Sequence, residues 1–152
     1  MTRFFAAQDG VIRSERKIVM ARLTAELAQK ILVAAAEKAT EIGSPSSISI
    51  LDSGREPVAF LRQDGALLAS PEISSNKAYT SASMKMPTGD LNELVQPGGP
   101  FFGLQTAQAR PFVTFAGGVP ILVDGEVVGA IGVAGGTGEQ DEEVAKAGAA
   151  VA

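Results

Sequence analysis

The chain has 152 residues, 45% of them hydrophobic and 20% charged, the balance of one globular domain with an apolar core. It contains neither cysteine nor histidine. That excludes disulfides, thiolate metal sites, the usual zinc ligand sets, Ser-His-Asp and Cys-His catalysis, and histidine-ligated haem.

No run approaches the roughly 18 apolar residues of a membrane span. Phe4-Phe5-Ala6-Ala7 is broken at once by Gln8-Asp9-Gly10, too short for the apolar stretch of a signal peptide. The expectation is a cytoplasmic protein with no membrane partner. The net charge of −4 is unevenly spread: residues 1–22 hold five basic and two acidic side chains, net +3, and the remainder is net −7. A basic N-terminal extension, 1–22, therefore precedes a single domain, 23–152. Its only aromatics are Phe4 and Phe5, less than nucleic-acid binding asks for. A solvated arm or an oligomer contact is expected, without nucleic acid.

Thr24 can cap a helix with Glu26 in its first turn. Leu27, Ile31, Ala35, Ala39 and Ile42 follow at helical spacing, and Gly43 with Pro45 ends it. The period then changes to two. Ser47 to Leu51 and Pro57 to Leu61 flank the turn residues 52–56, a strand–turn–strand pattern. Ser70-Pro71-Glu72 reads as a helix start, with a capping serine, proline at the first helical position and an acid at the positive end of the dipole. That helix should run to about Lys85, before Pro87.

Thr88 caps a short helix that breaks at Pro97-Gly98-Gly99-Pro100. Phe112 to Phe115 reads as a strand. Pro120–Val123 and Glu126–Val133 are strands joined through Asp124-Gly125, among the best short hairpin signals. Thr137 and Gln140 form a capping box for the last helix. Five strands in hairpin connection, with helices packed on them, make an α+β antiparallel fold.

This order carries Leu51-Asp52-Ser53-Gly54, Arg62-Gln63-Asp64-Gly65-Ala66, Asn76-Lys77-Ala78-Tyr79-Thr80-Ser81-Ala82, Gly117-Gly118-Val119-Pro120 and Asp124-Gly125-Glu126-Val127-Val128-Gly129. In these segments, from Leu23 to about Ala147, the chain resembles the GlcG/HbpS-like family, often labelled haem-degrading domain. The resemblance implies a profilin-like, five-stranded antiparallel sheet and assembly into homo-oligomers. It also implies haem binding in some members, where histidine typically ligates the iron. This chain has no histidine, so haem is disfavoured; Tyr79, Met84 and Met86 are the alternative iron ligands. A homo-oligomer is also expected because few helices are on hand to cover both faces of the sheet.

Lys77 lies four residues after Ile73, on the helix stripe that should face the sheet. A lysine there pairs with an acid, Asp52 or Asp64, or meets an anionic ligand. Arg62 continues the alternation of Val58 and Phe60. Arg110, before Pro111, could clamp a carboxylate in two-pronged fashion. Gly129 and Gly132, inside a strand, point to a bulge or a close backbone approach, and Asp141 sits where a helix dipole favours an acid.

The expected pocket lies between the sheet and the helix from Ser70. Lys77 and Tyr79 are at its wall, with Arg110 and the backbone at Gly118 closing it. Ligand-binding candidates are Lys77, Arg110, Gly118 and Arg62; acid–base candidates, should the chain be an enzyme, are Lys77, Tyr79, Asp64 and Glu72. Three functions compete: a binder of a small organic acid or cofactor-like molecule, an enzyme acting on a small carboxylate by proton transfer or hydrolysis, and an oligomeric partner-binding module. Convergence of Lys77, Tyr79 and Arg110 would favour ligand chemistry.

Overall fold

The computed structural model describes residues 20–152; all but the last three residues of the basic segment 1–22 lie outside them. Helix α1 spans Ala25–Glu41, and the Thr24 hydroxyl accepts from the Leu27 amide as its cap. Strands β1 (Ser47–Asp52) and β2 (Pro57–Arg62) follow as an antiparallel pair. After helix α2 (Ser70–Met84) come short 3-10 turns at Thr88–Leu91, Glu93–Val95 and Leu104–Thr106. Strands β3 (Gly118–Val123) and β4 (Glu126–Ala134) lead into helix α3 (Gly138–Ala149). The Asp124-Gly125 turn has both residues at positive φ, 51° and 80°, the geometry that matches strand twist in a tight hairpin. The Thr137–Gln140 capping box is formed in both directions.

The sheet has four strands in the order β2-β1-β4-β3, all antiparallel. The expected fifth strand, Phe112 to Phe115, is extended coil instead. Its backbone is satisfied by side chains: Val113 N–H donates to the Thr80 hydroxyl, and the Phe115 carbonyl accepts from the Thr88 hydroxyl. Two buried threonines thus replace a ladder partner.

Thr88 caps no helix, since the 3-10 turn is flanked by Pro87. Ser70 does not cap α2 either. It is the first helical residue, and its hydroxyl bonds the Leu67 carbonyl and the Ser47 hydroxyl.

Helices α1 and α3 pack together on one face of the sheet, and α2 covers β4, β1 and β3 on the other. The first interface is the apolar core, in which Ala28, Ile31, Ala35 and Ala39 of α1 meet Ile48, Ile50, Ile131 and Val133. The second interface is built differently. Ser70, Ser74 and Ala78, at helical spacing, lie against Ser47, Ser49 and Gly132, with Ser–Ser hydroxyl bonds of 2.8 Å at two rungs. A Cβ at Gly132 would collide with the Ser74 carbonyl oxygen, so α2 rests directly on the strand backbone. Gly129 lies beside a register shift opposite Ile121 and Leu122. Gly129 therefore meets both expectations, since a Cβ there would also strike the Leu51 carbonyl oxygen, and Gly132 meets that of a close approach.

Candidate functional site

Lys77 has no exposed surface. Its ammonium donates to the Val133 carbonyl and to Asp141 Oδ2, each at 2.8 Å, and sits 4.9 Å from the centre of the Phe115 ring. Neither Asp52 nor Asp64 is the partner. Asp141 fills that role rather than serving only the dipole of α3, and its other oxygen accepts from the Gly136 amide. The path is cut by glycine: a Cβ at Gly117 would lie 2.5 Å from Lys77 Nζ, and one at Gly118 would lie 2.6 Å from the Lys77 carbonyl oxygen. Burial lowers the Lys77 pKa from 10.5, against the hydrogen bond and charge of Asp141, which raise it. The ammonium is enclosed by these partners.

Tyr79 points elsewhere, as the roughly 200° between positions two apart on a helix requires. The Arg110 guanidinium carbon lies 4.3 Å from the Tyr79 ring centre and that of Arg55 lies 4.9 Å from it. Arg55 donates to the Tyr79 hydroxyl at 3.0 Å, and that hydroxyl donates to Gln108 at 3.0 Å. Arg110 is held by Asn76 Oδ1 at 2.8 Å and the Ser75 hydroxyl at 2.6 Å. No carboxylate lies within 4.0 Å of either guanidinium among the described residues.

Arg55 reaches the cluster from a strained position. It has φ 69° in the β1–β2 turn, where Asp52 Oδ1 accepts from the amides of Gly54 and Glu56. A non-glycine residue held there costs on the order of 1–3 kcal/mol.

Of the residues expected around one pocket, Tyr79 and Arg110 meet; Lys77 and Gly118 do not join them. The Gly118 amide is already bound to the Thr88 hydroxyl at 2.9 Å. Arg62 lies on the exposed edge strand, donates to the Ala66 carbonyl, and shares with Asp64 an open depression of about 530 Å³ beside the end of α1. Glu72 is exposed in the first turn of α2. Neither acid expected to do proton transfer lies within 4.0 Å of Arg55 or Arg110. A smaller groove of about 290 Å³ runs between β2 and α2, lined by Leu51, Pro57, Phe60, Pro71, Ser49 and Ser75.

Arg55, Gln108, Asn76 and Ser75 were not singled out by sequence reasoning. One signal was there: Ser75, Tyr79 and Ser83 follow at i, i+4 spacing and mark one helix face. Arg55 and Gln108 reach Tyr79 only through the fold, from 24 and 29 residues away.

The haem expectation can be tested on the donor set. The chain has no histidine, and the lone tyrosine uses its hydroxyl in two hydrogen bonds. Binding iron through Tyr79 would break both. Met84 and Met86 are half-buried at the end of α2, where the Met86 carbonyl accepts from Ser81. These residues do not fit a strong axial-ligand site. Among the described residues no cluster of three or more Asp and Glu could hold a metal ion, and no helix is long and apolar enough to cross a membrane.

Residues 23–150 match the family described as haem degrading protein HbpS-like. An uncharacterized 15.0 kDa protein from the dhaT-dhaS intergenic region of Citrobacter freundii is 39% identical over 127 residues, 84% of this chain and 89% of that one. The crystal structure of Klebsiella pneumoniae ORFY superposes with a TM-score of 0.83 at 35% identity, covering 89% of this chain and 94% of that one. That of the PduOC–haem complex gives 0.83 at 33% identity, covering 87% and 96%. Matched over nearly all the described residues, with relatives above 30% identity along most of their length, the chain belongs to the HbpS-like haem-degrading protein family.

Proposed function

We propose that this chain is a small-molecule-binding protein whose ligand carries a carboxylate, held by Arg55 and Arg110 on either side of the Tyr79 hydrogen-bond network. One observation carries this reading: two guanidinium groups gathered on one tyrosine, with no carboxylate within 4.0 Å of either among the described residues. Like charges brought together cost free energy, and a bound anion offsets that cost. Each arginine keeps donors in reserve. Arg110 uses Nε and one terminal nitrogen on Asn76 and Ser75, and Arg55 uses one terminal nitrogen on Tyr79. The remaining N–H groups suit a carboxylate, whose charge-assisted hydrogen bonds are each worth roughly 1.5–3 kcal/mol.

The enzyme reading has less support: Tyr79 is in the cluster, but neither Asp64 nor Glu72 pairs with its arginines, and Lys77 is enclosed with Asp141. The chain is also proposed to self-associate. The sequence leads one to expect an uncovered sheet face, yet helices lie on both faces and leave open only one side of edge strand β2. A better motive is the exposure of Leu67, Leu68 and Phe102, at 64%, 88% and 69%; sedimentation showing only a 15.6 kDa species would remove this part of the reading.

The binding reading is tested by NMR titration with sodium acetate and sodium benzoate at constant ionic strength. Amide and side-chain signals of Arg55, Tyr79 and Arg110 should shift with at least one of the two salts. The Arg110→Gln variant should lose that response by about tenfold or more in affinity. Failure of both salts to move those signals overturns the proposal.

A further inference from the structure

We infer that the carboxylate is the head of a ligand with a compact apolar body, an aryl or short branched-alkyl carboxylate, and that the body lies in the groove between α2 and β2. This rests on the reading of the arginine cluster above and adds the part of the ligand that the arginines do not touch.

The groove exists because α2 is drawn down onto β1 and β4 by its serine and alanine face, leaving the adjoining side of edge strand β2 uncovered. Phe60 projects there, 51% exposed. The groove meets the arginine cluster at Ser75. Ser75 lines the groove and accepts the 2.6 Å hydrogen bond from Arg110. Pro57 lines it too, two residues after Arg55. A ligand whose head meets the guanidiniums has its next atoms over Pro57, Leu51 and Phe60.

Size and polarity narrow the class. About 290 Å³ is at the bottom of the range for ligand sites, roughly 300–1,000 Å³, enough for a single ring and too small for a macrocycle. The wall offers few polar groups: Ser49 is taken up by Ser74 at 2.8 Å, and Ser75 accepts from Arg110 at 2.6 Å. A sugar-like or polyhydroxylated body would bury several hydroxyls beside the single spare hydroxyl of Ser75. An apolar body loses nothing there and covers Phe60.

The test compares sodium benzoate with sodium acetate on the intact chain, by NMR titration at constant ionic strength. Apolar burial tightens binding about fourfold per methylene equivalent, so benzoate should bind tenfold or more tighter than acetate. Phe60→Ser should erase most of that preference. Leu122→Ser, on the exposed side of the opposite edge strand, should leave it unchanged. Intermolecular NOEs from the benzoate ring to Phe60 and Pro57 in wild type give the same answer without a variant. Equal affinity for the two salts, or NOEs only to residues outside the groove, overturns this inference while leaving the arginine site standing. If neither salt moves Arg55, Tyr79 or Arg110, the arginine site itself is overturned, and this inference with it.

Discussion

Lys77 on α2 and Asp141 on α3 meet at 2.8 Å, and both side chains are buried, with 0% and 5% exposure. They join helices that lie on opposite faces of the sheet, around the end of β4, where the ammonium also takes the Val133 carbonyl. Two helices that share no packing layer are therefore fastened through one ion pair. Gly117 and Gly118 leave the room for it.

Removing one partner should cost much more than removing the charge from both. Lys77→Met keeps the methylene stem but leaves the buried Asp141 side chain without its counter-charge, a change worth about 3–5 kcal/mol. Lys77→Met with Asp141→Asn should recover a large part of that loss, since the amide oxygen still accepts from Gly136. Chemical denaturation of the two variants checks this. Equal stability of wild type and Lys77→Met would show that the pair holds nothing.

The same pair gives a pH signature. Because burial lowers the Lys77 pKa below 10.5, the folded chain releases this proton at a lower pH than the unfolded chain does. Between the lowered value and 10.5 the unfolded state binds more protons, so this group's contribution to stability rises with pH; below that window it is constant. The difference in unfolding free energy between wild type and Lys77→Met should shift in favour of wild type as pH climbs toward 10.5. A shift in the other direction would mean that attraction to Asp141 outweighs burial.

Gly132→Ala tests how α2 meets the sheet. The new Cβ would strike the Ser74 carbonyl oxygen and come within 2.5 Å of the Ala78 amide nitrogen, both backbone atoms that cannot rotate away. The helix has to lift, opening the hydroxyl bond between Ser49 and Ser74. Overpacking of this kind costs typically 1–3 kcal/mol. A melting temperature within a degree or so of wild type would contradict the contact.

Haem added to tag-free protein should bind weakly and without a bis-histidine spectrum, because the chain supplies no imidazole and Tyr79 has its hydroxyl engaged. Submicromolar affinity in an optical titration would contradict this.

Much of the local structure was legible from residue order alone. The Thr24 cap, the Thr137–Gln140 box and the Asp124-Gly125 turn are short-range devices, whose hydrogen bonds or dihedral angles involve residues at most three apart. The sequence by itself therefore determined the three long helices, both hairpins and the α+β class.

The failures share a cause. Phe112 to Phe115 has strand-like residues, but its partners are threonine hydroxyls 27 and 33 positions away. The buried face of α2 is serine and alanine, so apolar periodicity could not mark it. Helical spacing turns Lys77 inward, yet its acid lies 64 residues on, beyond two strands. Only the tertiary structure could select Asp141 over Asp52 and Asp64, and bring Arg55 to Tyr79 while turning Lys77 away. Charges are recognised by distance in space, and distance in space between remote segments is what packing alone decides.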